Sequence, residues 1–173
     1  MDRDPWNALR AWRGIAVRLG DALAGVCIAL AALALVGIVA VNGMNVVARY
    51  VFGSAFSWAE ELMLYLMILG VFAGGIAITW RNQHVRIATI IERTPPAIQR
   101  PAQVLAAVAC IVVLATVTVA SFRLVSLLES FDQRSDALQA PMWIPQSFVT
   151  IGLGVMAVLM AVRLVLRAFA DRS

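Results

Sequence analysis

The chain has 173 residues, 62% of them hydrophobic and 14% charged, with a mean hydropathy of +0.86. A water-soluble domain of this length built from such proportions would lack polar surface, and a disordered tail would need the opposite composition, so both are excluded. The formal charge of +4 comes from fourteen arginines and no lysine, a balance that fits nucleic acid, an anionic membrane surface or membrane topology, and the placement of the arginines decides among them.

The first twenty-one residues carry Arg3, Arg10, Arg13 and Arg18. Trp6, Leu9, Trp12, Ile15 and Leu19 recur between them near helical spacing. The segment from Pro5 to Gly20 therefore reads either as an amphipathic helix on the inner membrane surface or as a partly ordered charged tail. It is too rich in arginine for a secretory signal and lacks a small-residue cleavage site, so it is expected to be retained.

Four uncharged runs follow, at about 22–48, 62–80, 102–122 and 142–162. Each approaches or exceeds the roughly 20 residues that cross a hydrocarbon core of about 30 Å. They are continuous in Leu, Ala, Val, Ile and Met, which predicts helices and not the alternating strands of a barrel. The expected fold is all-α, one polytopic domain of four transmembrane helices with short interfacial helices. Eleven arginines fall before the first span, between the second and third, or after the fourth, and three fall in the other two loops. Arginine-rich short loops stay cytoplasmic, so both termini are expected inside. Tyr50, Trp58, Trp80 and Trp143 lie where aromatic belts form. Cys27 and Cys110 both sit inside apolar runs and read as small hydrophobes.

The spans contain no Asp, Glu, Lys, Arg or His near their centres, where ion-coupled pumps keep ionisable groups. No GxxxxGK[ST] loop is present, and His84 is the sole histidine, which excludes bis-histidine haem ligation and disfavours a quinone- or haem-binding anchor. No cofactor, metal site, enzymatic activity or nucleic-acid contact is expected.

Polar chemistry concentrates at span ends. Asn42, Asn45 and Arg49 share a helix face, and the short connection after Tyr50 brings Arg49 level with Glu60 and Glu61, so an interhelical ion pair is expected there. Gly70 and Gly74 form a GxxxG motif that admits a close helix, either from this chain or from another subunit, and Gly152 is a further close-packing position. Arg81 and His84 open an inner loop whose Val85, Ile87, Ile90 and Ile91 suggest an interfacial helix before Pro95-Pro96. His84 reads as a local cap or a partner contact. The last outer loop, with Asp136, Pro141 and Trp143, is expected to be ordered by its prolines and, together with Trp58, to form an outer docking surface.

The ordered set Arg49-Tyr50-Val51-Phe52, Trp58-Ala59-Glu60-Glu61-Leu62, a Gly74-containing span, Arg81 with His84, and Leu138 with Pro141-Met142-Trp143-Ile144-Pro145 before Gly152 resembles the small permease (Q, DctQ-type) subunit of tripartite ATP-independent periplasmic (TRAP) transporters. The resemblance runs from the first span to the fourth. One departure is Ala88, where the family pattern places an aspartate shortly after the histidine. The resemblance implies a subunit of the bacterial cytoplasmic membrane that scaffolds a large permease (M) subunit and helps dock an extracytoplasmic substrate-binding protein for sodium-driven import of an organic acid. Substrate and ion sites would then belong to the large subunit. The competing reading is a self-assembling channel or small exporter that uses Glu60 or Glu61 as a proton site.

Overall fold

The computed structural model describes residues 5–81 and 96–170, with side chains at 14–15, 17–81 and 101–166. Four helices account for nearly all of it: α1 (Pro5–Phe52), α2 (Ser57–Arg81), α3 (Pro96–Ser130) and α4 (Trp143–Ala170). All four are long and apolar enough to cross a membrane. The helices outrun the apolar runs at most ends because charged flanks continue the turn as well as apolar ones do, until a specific stop intervenes. Gly53 provides one such stop: its φ of +71° closes α1 in the left-handed region. Asp132, at φ 43°, ends α3 in the same way. Its N–H bonds the Glu129 carbonyl while the Gln133 N–H reaches Leu128, the paired bonds of a Schellman motif.

The segment from Pro5 to Gly20, expected as a separate interfacial helix or a charged tail, is the first third of α1. No proline interrupts the chain between Gly14 and Ala24, and Gly20 fits under the Trp80 indole where a Cβ would collide with it. The result is one helix of 48 residues, about 72 Å long at about 1.5 Å per residue, more than twice a hydrocarbon core of about 30 Å.

Consecutive helices run antiparallel, but their packing order is not the chain order. α1 packs on α2, α2 on α4, and α4 on α3, so α2 and α4 are central and α1 and α3 flank them. The inward face of α1 repeats strictly at alternating steps of four and three: Gly20, Ala24, Cys27, Ala31, Ala34, Ile38, Val41, Asn45 and Ala48. α3 does the same with Ala107, Ile111, Leu114, Thr118, Ser121, Val125 and Leu128. A period of 3.5 residues keeps one seam in contact along a left-handed crossing, and the small side chains let the backbones come close. The remaining faces are bare: Leu33, Leu35, Val36 and Val39 on α1 are each at least 63% exposed. The accessible surface is 12254 Å² for 18.7 kDa, against roughly 8300 Å² for a compact soluble chain of that mass. Such a surface is stable in hydrocarbon and not in water.

Candidate functional site

The turn between α1 and α2 and the loop between α3 and α4 lie at the same end of the molecule, where Glu61 joins them. Its carboxylate accepts a hydrogen bond from the Ser135 hydroxyl, from the Ala137 N–H at 3.0 Å and from the Leu138 N–H at 2.8 Å. Three donors converging on one carboxylate make charge-assisted bonds, which are stronger than neutral ones. The loop is also closed on itself, with the Ser135 N–H on the Ala140 carbonyl and the Met142 N–H on Gln133, both at 2.9 Å. Gln139 takes a φ of 53° in the turn between them. Ser135 is buried, while Asp136 and Trp143 face outward.

Arg49 does not join this cluster. Among the described residues the one ion pair is Arg134 with Asp132, at 3.4 Å and exposed, so the pair expected between Arg49 and Glu60 or Glu61 is not formed. The reason is rotational. Position 48 lies on the α1 seam and Arg49 is one residue, about 100°, away from it, while Glu61 is engaged by the opposite loop. Glu60 is exposed. Asn45 is the residue of that segment that turns inward: buried, it accepts the Phe56 N–H at 2.8 Å and so caps the entry to α2. Trp58 lies half-buried next to it, its ring centroid 5.5 Å from that of Phe56.

At the opposite end three helices meet around Trp80. The indole N–H donates to Asp21 at 2.8 Å, and the Arg163 guanidinium stands 5.7 Å from the ring centroid. Arg163 also donates to the Thr79 carbonyl at 3.1 Å. Asp21, Trp80 and Arg163 thus tie α1, α2 and α4 together, a role that reading Trp80 as a belt aromatic did not reveal. Arg81 closes α2 and is exposed. His84 and the expected interfacial helix around Val85 to Ile91 lie outside the described residues.

Between the two ends, polar contacts are small and neutral. Ser121 and Thr150 share a hydrogen bond of 2.8 Å, and Gln146 donates to Ser121 at 3.0 Å, joining α3 to α4. The glycines divide by environment. A Cβ added at Gly70 would stand in ordinary contact with Ala34 of α1, 3.5 Å from its Cβ, whereas Gly152 faces Phe72 so closely that a Cβ would stand 2.7 Å from that ring. Gly75, not singled out from sequence, seats Met156, whereas Gly74 has nothing within 4 Å of its Cβ direction. Of the expected contact glycines, two are consumed within the chain and one stays open. Among the described residues no group of three or more His, Cys, Asp or Glu is assembled that could hold a metal.

A small polytopic membrane protein whose charged groups, among the described residues, lie toward its two ends, with an ordered loop fastened at one of them, is what the geometry defines. The family of tripartite ATP-independent periplasmic transporters, DctQ component, matches residues 38–170, and the chain belongs to it. A Haemophilus influenzae protein described as a TRAP transporter small permease is 37% identical over 84 residues, 49% of this chain and 50% of that one. The isethionate TRAP transporter permease protein DctMQ of Oleidesulfovibrio alaskensis is 30% identical over 102 residues, 58% of this chain and 16% of that one. The chain therefore matches half the length of the first relative and a smaller part of the second.

Proposed function

We propose that this small permease component scaffolds a large permease subunit and helps receive a substrate-binding protein, for sodium-driven import of an organic acid. The observation that carries the reading is the separation of chemistry within the fold. The described spans place no Asp, Glu, Lys, Arg or His at mid-membrane, so a coupled ion path belongs in a partner. The loop bound to Glu61 offers a preformed polar surface at one end, with Asp136, Pro141 and Trp143 on or beside it. The bare faces of α2 and α4 left over from internal packing suit a larger membrane partner, and the relative named DctMQ, of which this chain matches 16%, supports such a pairing. The arginine distribution supports a reading with both termini in the cytoplasm and the Glu61 loop on the outer side of a bacterial inner membrane.

The test is uptake into proteoliposomes under an inward sodium gradient, with isethionate, named for one relative, heading a panel of organic acids. Uptake is expected when this chain, the large permease and the binding protein are all present, and none from this chain alone. Robust flux from the isolated chain that is lost on Glu60→Gln or Glu61→Gln would favour the channel or exporter reading instead.

A further inference from the structure

Near its Trp80 end the α1–α2 pair carries a groove of about 390 Å³ that is open on one side. Ile28, Ala31 and Leu35 form one wall and Gly74, Ala77 and Arg81 the other. Both sets follow the spacing i, i+3, i+7, so each is a single helix stripe. The walls are apolar up to the last residue, where Arg81 brings a guanidinium to the mouth of the slot. Among the described residues Arg81 has no hydrogen bond or ion pair. Asp21 and Arg163, also near Trp80, are engaged, Asp21 by the indole N–H and Arg163 by the ring face and the Thr79 carbonyl.

We propose that this groove binds one anionic phospholipid, an acyl chain lying between the two stripes and the phosphate resting on Arg81. The complementarity is of two kinds. A methylene chain needs no hydrogen-bond partner and fits an apolar slot, and a guanidinium at the end of a membrane helix, unpaired among the described residues, is a ready partner for a phosphate oxygen. A hydrophobic helix from another subunit would fill the slot but leave Arg81 unanswered. The inference rests on the membrane setting of the helices and not on transport, so a failed uptake assay leaves it standing and a failed lipid assay leaves the transport reading standing.

Native mass spectrometry of the full chain in detergent, with phosphatidylglycerol and phosphatidylcholine of identical acyl chains, tests the proposal. One phosphatidylglycerol is expected to be retained with a preference of about fivefold or more. Arg81→Gln should erase the preference, Arg81→Lys should keep it, and Gly74→Leu should lower retention of both lipids by occupying the slot. Equal retention of the two lipids by the unaltered chain overturns the proposal. So does a preference that survives Arg81→Gln, or complete displacement of the lipid when the large permease is co-purified.

Discussion

The Trp80 indole donates its N–H to the Asp21 carboxylate at 2.8 Å, across 59 residues of sequence. Trp80 is buried and Asp21 is exposed, so the two partners lose different things when the bond is broken. Asp21→Ala leaves a buried N–H unsatisfied and is expected to cost about 1–2 kcal/mol. Asp21→Asn keeps an acceptor and should cost less. Asp21→Ala and Trp80→Phe should be less than additive in unfolding titrations in mixed micelles, and strict additivity would mean that the bond contributes nothing.

Removing the Glu61 carboxylate should release the α3–α4 loop. In Glu61→Ala, hydrogen exchange at the amides of Ala137 and Leu138 is expected to rise about tenfold or more, while the amides of the α4 interior stay protected. Glu61→Gln retains an acceptor but brings an NH₂ toward backbone N–H donors, and should fall between. Unchanged exchange in Glu61→Ala would show that the bonds from Ser135 to Ala140 and from Met142 to Gln133 hold the loop unaided.

Three glycines of similar appearance should respond differently to a methyl group. Gly152→Ala drives a Cβ against Phe72 and should cost about 1–3 kcal/mol. Gly75→Ala meets only the flexible end of Met156 and should cost less, and Gly74→Ala faces open space and should stay within about 0.5 kcal/mol. Thermal unfolding in detergent reads all three, and equal losses would contradict this packing.

Ser121→Ala removes the hydroxyl shared by Thr150 and Gln146. Hydrogen bonds between membrane helices average about 0.6 kcal/mol and reach about 1.7, and the upper part of that range is expected because two partners are lost at once. The measurement is the same unfolding titration, and no loss at all would show that Thr150 and Gln146 find other partners.

Hydropathy was enough to read the four helices and their antiparallel order, because lipid imposes length and apolarity on every span. What hydropathy does not carry is which face turns inward, since lipid-facing and helix-facing residues are equally apolar. The seam of α1 is written in side-chain size: Gly20, Ala24, Cys27, Ala31 and Ala34 at steps of four and three, against bulky Leu and Val elsewhere. Size at a period of 3.5 would have placed Asn45 inside and Arg49 outside. The partner of Glu61 was out of reach for another reason. Two of its three donors are backbone amides, at Ala137 and Leu138, and no residue type advertises these.

The row of helices makes the two flanks mechanically unequal. α1 is fastened to its neighbour near both ends of the span, through Asn45 to Phe56 and through Asp21 to Trp80. Among the described residues the side-chain hydrogen bonds of α3 to its neighbour gather at Ser121. A sideways load from bilayer or partner thus meets a beam clamped at two points on one flank and a beam pivoting at one station on the other. Lateral compliance should reside in the half of α3 that runs back toward Pro101, away from the loop that Glu61 holds.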